Sequence, residues 1–425
     1  MTSNQQATTR PSSPERGPLR IAWLAVEPTP YDLPLIEDLK QLDGLDVLFL
    51  SCIPDARFPW IERERLNRLL PTLKGLHFIP PGKDITATLN LGVLRELWRR
   101  PLDLAVIAGW GNPTCLLAAL ICLFRRIPFM LRADKRLDPA PAKRWRASSR
   151  LLVLPIIRRS AACLGISKPA TTFFTHVGVP KERVFLVPCL SHLDEYRQAF
   201  LAVSEATVDI RSELDTPPGA CVGIYAGRLE KVKGVDILLE GLRGVQPQER
   251  PFLWIAGDGS RRASLEHFAK THALPVRFLG FQRNDRLPLY YRSADFLALP
   301  SRHEQWGIVV AEAMSCGLPV VLSEYVGARF DLLREGTNGF VVKGNDPAEW
   351  SQVLRRCAAE RDRLARLGRS ALETTSEYGK EASVREFLAA VETVFPITPP
   401  RREDDESHPG RRLGANGRES AVSRG

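Results

Sequence analysis

The sequence predicts an α/β protein built from two doubly wound domains, each a parallel sheet covered by helices on both faces. Three observations carry that prediction. Short apolar runs alternate with longer amphipathic ones, the alternation occurs twice on either side of a polar break at residues 200–218, and several apolar runs end in glycine. Alternating strand and helix patterns belong to parallel sheets, whose ligands bind beyond the carboxyl ends of the strands. A chain of 425 residues suits two cores of about 200 residues each.

Residues 1–18 are polar, rich in proline and serine, and expected to be disordered; no apolar run there reads as a signal peptide. The first domain, 19–205, has buried strands predicted at 19–26 (LRIAWLAV), 45–51, 102–109, 127–133 and 161–167. Helical patterns at 33–42 and 112–126 lie between them. The second domain, 206–397, repeats the scheme with strands at 221–227, 251–257, 276–281, 295–300, 319–323 and 339–342. Its last helix is free to pack back on the first domain. The polar tail 398–425 is expected to be disordered. The apolar run NPTCLLAALICLF at 112–124 is too short to span a bilayer and reads as a core helix.

The formal net charge of +10 is uneven. Residues 1–210 hold 28 Lys/Arg and 20 Asp/Glu, against 31 and 29 in the remainder. Between 121 and 160 eleven basic residues face only Asp134 and Asp138. Such a segment is either a solvated face or the docking surface for an anionic partner such as phospholipid head groups. Nucleic acid is not expected, because no recognition motif and no interleaved aromatic residues accompany the charge. The eight cysteines are scattered through apolar segments with no C-x-x-C pair, the pattern of reduced thiols in a cytoplasmic protein rather than of a disulfide framework or a zinc site.

Three strand–loop–helix junctions carry the chemistry. In IYAGRLEKVKGVDILLEGL (224–242), Gly227 and Arg228 end a strand and Lys233 and Gly234 open a helix. Glycine allows close backbone approach, and a helix N-terminus with two cations suits a phosphate or diphosphate. Arg228 and Lys233 taken singly also fit ordinary surface charges. In WIAGDGSRRASLE (254–266), Gly257 and Gly259 allow a tight turn or make room for a nucleotide, and Asp258 or Ser260 is placed to cap the next helix. In SRHEQWGIVVAEAMSCGLPVV (301–321), Glu304 sits in the loop and Glu312 on a helix whose neighbours are mostly apolar. A buried carboxylate needs hydrogen-bond partners: the two hydroxyls of a ribose, or an arginine in the domain interface.

Together these motifs resemble family 4 of the retaining glycosyltransferases, enzymes of the GT-B fold with two Rossmann-like domains facing a cleft. The carriers are E-x7-E (Glu304, Glu312) followed by A-M-x-x-G-x-P-V-V, with G-R-L-x-x-x-K-G and a G-D-G turn upstream. The resemblance spans about residues 20–396 and is strongest in the second half. It implies that Arg228 and Lys233 bind the diphosphate of a nucleotide-sugar donor, Glu304 the transferred sugar and Glu312 the ribose. The backbone amides of Trp306, Gly307 and Ile308 would face sugar and phosphate, with Trp306 standing where the family usually has phenylalanine.

The first half departs from the family. The loop after the first strand is EPTPYDLP (27–34) instead of a Gly-Gly loop, and MLRADKRLD (130–138) lacks the family's histidine. Asp134 and Tyr31 are the acceptor-side candidates, Asp134 being equally suited to balance Arg132, Lys135 and Arg136. No D-x-D metal motif precedes the tail, so neither metal nor cofactor is expected, and the diphosphate charge falls to Arg228, Lys233 and the helix dipole. The implied activity is a metal-independent, retaining hexosyl transfer to a glycan or lipid-linked acceptor in cell-surface polysaccharide or glycolipid assembly. The expected location is cytoplasmic, with the membrane's cytoplasmic face a candidate surface. Two other readings stand beside it: a GT-B-fold sugar-nucleotide epimerase or phosphorylase, and a non-catalytic nucleotide-sugar-binding subunit.

Overall fold

A computed structural model describes residues 17–29, 31–53, 63–70, 77–78, 87–134, 147–188, 190, 192–202 and 209–395. Residues 1–16 and 398–425 of the two terminal segments expected to be disordered, Cys189, and Lys135 and Arg136 of the basic segment lie outside the described residues. Every strand read from the sequence is present. β1 (Leu19–Ala25) and β2 (Leu45–Ser51) come first, followed by a short antiparallel ladder of β3 (His77–Phe78) and β4 (Leu89–Asn90). β5 (Leu104–Ala108), β6 (Phe129–Ala133), β7 (Ala162–Gly165) and β8 (Val184–Leu186) complete a parallel sheet of order β2-β1-β5-β6-β7-β8.

The second sheet contains β9 (Val222–Ala226), β10 (Phe252–Ala256), β11 (Val276–Gly280), β12 (Phe296–Leu299), β13 (Val320–Ser323) and β14 (Gly339–Val342). Its order is β11-β10-β9-β12-β13-β14, again parallel throughout. All of β9, β12 and β13 is buried, which is why these strands are continuous apolar runs without alternation. The strand order reverses between β1 and β5 in one sheet and between β9 and β12 in the other. Those switch points open crevices beyond the strand ends.

Each face of the first sheet has its own core. Cys115, Ala118 and Cys122 of the helix Pro113–Arg125 pack with Ile107, Leu131 and Phe174 on one side. On the other, Trp23 and Met130 meet Ile36, Leu39 and the C-terminal helix Lys380–Val394, whose Phe387 ring lies 5.4 Å from that of Trp23. The last described helix therefore packs on the first domain. A reciprocal exchange occurs earlier: the helix Leu193–Ala202 precedes residue 205, yet Leu193 and Tyr196 belong to the core of the second sheet. The seven described cysteines are all buried, and burial pushes the thiols of Cys122, Cys163 and Cys221 up to about 12, so they stay protonated at neutral pH.

Candidate functional site

A cleft of about 690 Å³ opens between the two sheets at their switch points. Its second-domain wall is made by the loops after β9, β10 and β12, and its first-domain side by Tyr31, Asp134 and Ile166. Gly227, Arg228, Lys233, Gly257, Glu304, Trp306, Gly307, Ile308 and Glu312 all line it. Residues spread over 86 positions of sequence thus meet at one place because each follows the carboxyl end of a neighbouring strand. Gly259 does not reach the lining.

Lys233 ends a 3-10 turn, Lys231–Lys233, and Gly234 (φ 71°) caps the following helix without a side-chain bond. The Lys233 ammonium donates to Oε2 of Glu304, which also accepts from Ser301 Oγ at 3.3 Å. Both partners of that ion pair are largely shielded from solvent. Arg228 is exposed beside it and pairs with no carboxylate among the described residues, while its carbonyl accepts from the Tyr225 hydroxyl at 2.8 Å.

The glycines of the second junction serve packing first. A Cβ on Gly257 would sit 1.8 Å from the Gly227 carbonyl oxygen, and one on Gly259 2.7 Å from that of Leu229. The loops after β9 and β10 are zipped together by Gly227 N–H to Ala256 O (2.9 Å) and Leu229 N–H to Asp258 O (2.8 Å). The expected capping does not occur, since the helix Arg262–Thr271 has no side-chain cap. Asp258 instead accepts from the Gly259 amide and Arg262, and Ser260 donates to Glu230, because these partners lie closer than the helix's first amides.

Gly307 (φ 97°) turns the chain into the helix Ile308–Ser315, whose leading amides face the cleft. Trp306 is buried, and its indole N–H donates to Asp331 Oδ2 at 2.8 Å. The other oxygen of Asp331 accepts from the Lys168 amide of the first domain, also at 2.8 Å. The indole thus holds in place, from within the second domain, the carboxylate that ties to the first, a bond that phenylalanine lacks. Trp306→Phe is expected to keep the aromatic wall and to cost about 1 kcal/mol of stability, the loss of one bond to a half-buried carboxylate. A lowered urea midpoint would show it; an unchanged midpoint would mean the tie contributes nothing.

Glu312 is buried, and its neighbour is a histidine rather than an arginine: His192 Nε2 lies 3.4 Å from Oε1. Burial, and then the Glu312 charge, raises the phenol pKa values of Tyr31, Tyr196 and Tyr291 around it. Three neutral phenols therefore surround one carboxylate. Arg132 is balanced by Asp32 at 2.9 Å, so that arginine does not depend on Asp134. Asp134 meets the opposite domain through its backbone carbonyl, which accepts from the Gln305 side chain. His192 and Asp331 were not legible as site residues; neither stands in a motif. Among the described residues no group of three His, Cys, Asp or Glu side chains is arranged to hold a metal ion.

The two facing sheets with their switch-point cleft define a GT-B fold. The solved structure of HepE from Anabaena with UDP and glucose matches 88% of this chain and all of its own at a TM-score of 0.67 and 21% identity. Sucrose-phosphate synthase from Thermosynechococcus elongatus matches 89% of this chain and 99% of its own at 0.65 and 19%. Residues 209–374 match the family model described as glycosyl transferases group 1. The D-inositol 3-phosphate glycosyltransferase of Xylanimonas cellulosilytica is 31% identical over 215 residues, 50% of this chain and 51% of the relative. The chain spans about half the length of the curated relatives it matches.

Proposed function

We propose that the protein transfers a sugar from a nucleotide-diphosphate donor to an acceptor hydroxyl with retention of configuration. The observation that carries this reading is the Lys233–Glu304 pair, set in a cleft with Arg228 on one side and the amides of residues 307 and 308 on the other. In the donor complex Lys233 and Arg228 meet the diphosphate, Glu304 accepts from sugar hydroxyls and Glu312 from the ribose. Charge that develops on the departing diphosphate is met by groups already in place, each worth about 2.7–4 kcal/mol when it is aimed at the charge. The acceptor enters from the side of Tyr31 and Asp134. Its proton passes to the leaving phosphate oxygen, so that no paired acid and base is needed, and no metal or cofactor takes part.

The acceptor is proposed to be a glycan or lipid-linked molecule of cell-surface polysaccharide or glycolipid assembly, met on the cytoplasmic side of an anionic membrane. No helix among the described residues is long and apolar enough to cross a membrane. The test is a panel of UDP-, GDP- and dTDP-sugars, offered with lipid-linked acceptors and with D-inositol 3-phosphate, after which the relatives are named. Transfer that Glu304→Ala abolishes supports the reading. Interconversion of the sugar nucleotides would replace it with an epimerase, and tight donor binding with no turnover on any acceptor would replace it with a binding subunit.

A further inference from the structure

The helix Pro113–Arg125 is apolar nearly all round, which in a soluble domain marks a helix packed on every side. Only one of its faces is packed. Thr114, Cys115, Ala118, Ala119 and Cys122 enter the core, while Leu117, Leu120 and Phe124 form a stripe in solvent, with Phe124 77% exposed. The neighbouring helix Leu91–Arg99 extends the stripe: Leu91 and Trp98 are exposed, and the Trp98 and Phe124 rings stack at 5.6 Å. The reading of 112–124 as a core helix is therefore right for one face and wrong for the other. Contiguous apolar surface of this kind marks an interaction site.

What covers it follows from the charge around it. Arg95, Arg99, Arg100 and Arg126 are exposed at the same helices, and Glu96, the acid within these two helices, is already paired with Arg100 at 2.6 Å. Arg125 is spent on carbonyls, bonding Leu97 O and Arg100 O and locking the two helices together. A second copy of the chain would bring arginines against arginines, which costs association free energy. An anionic bilayer satisfies both halves of the surface, because its interface accepts aromatic and leucine side chains and its head groups attract the arginine rim.

We propose that the face formed by Leu91, Trp98, Leu117, Leu120 and Phe124, with its arginine rim, docks the protein on an anionic membrane. This rests on the membrane partner named above and moves its seat from the charge of segment 121–160 to an apolar face. The helix Pro113–Arg125 starts just beyond the carboxyl end of β5, the end of the sheet that faces the cleft, and runs back toward the amino end of β6, so Leu117 lies nearer the cleft and Phe124 farther from it.

The experiment is co-sedimentation of the full chain with phosphatidylcholine vesicles, with and without phosphatidylserine. The Leu120→Glu/Phe124→Glu and Arg99→Glu/Arg126→Glu variants run alongside, with donor hydrolysis measured in the same samples and sedimentation velocity run without vesicles. Binding by the wild type to phosphatidylserine vesicles, lowered about tenfold or more by either double variant with hydrolysis unchanged, is the expected result. Variants that bind as the wild type does would overturn this face while leaving a membrane partner in place. A wild type that never sediments with vesicles would overturn both. A dimer that Leu120→Glu/Phe124→Glu converts to monomers would assign the face to a second copy and overturn the proposal.

Discussion

Lys233→Ala is expected to lose about 10²–10³-fold in kcat, the loss seen when one preorganised donor to developing charge is removed. The fold should persist, since Lys233 lies at the cleft on a 3-10 turn outside either sheet. Some stability is lost as well. Among the described residues Glu304 keeps Ser301 Oγ as its side-chain partner, and a shielded carboxylate stripped of its cation costs about 1–3 kcal/mol. A purely structural ion pair would make the same stability prediction, so the pair must be separated from the chemistry. The double variant Lys233→Met/Glu304→Gln removes both charges and leaves no unpaired ion, and a double-mutant cycle isolates their coupling. Recovery of stability without recovery of transfer is the expected outcome. Transfer by Lys233→Ala at the wild-type rate would remove Lys233 from the diphosphate site and with it the reading of the cleft.

The strands of both sheets were legible because a parallel strand buried on both faces is a continuous apolar run, and β9, β12 and β13 are buried throughout. The three residues of β8, Val184–Leu186, also form an apolar run, VFL, but it is short and half-buried at the sheet edge, and it was not legible as a strand. Among site residues, Glu304 and Lys233 were readable from their place after strands β12 and β9. Their mutual pairing was not, because it depends on two loops 71 positions apart. The same limit hid His192 beside Glu312, and Asp331 beside Trp306 within the second domain. Composition also misled about the helix Pro113–Arg125. Its apolar residues say that it avoids water; only the packing says which half succeeds.

Gly234→Ala is expected to damage the site as severely as Lys233→Ala while also destabilising the fold. Gly234 holds φ at 71°, and a Cβ there would lie 2.0 Å from the carbonyl oxygen of Pro300 and 2.9 Å from its carbonyl carbon. Those atoms are backbone, at the point where β12 runs into the loop that carries Glu304, so no side chain can rotate out of the way. The Lys233 turn and the Glu304 loop must then move apart, which separates the two groups the cleft is built around. Left-handed backbone alone costs a residue with a side chain about 1–2 kcal/mol. Gly336 measures that cost by itself, since it holds φ at 72° with nothing within 4 Å of its Cβ position. Gly336→Ala should therefore lose only that amount and keep transfer intact. Gly234→Ala should lose it together with a further ~1–3 kcal/mol for the forced displacement, and transfer with it. Equal stability losses in the two variants, or normal transfer by Gly234→Ala, would show that the loops tolerate separation and that the close approach of β9 and β12 loops is not what holds the donor site in shape.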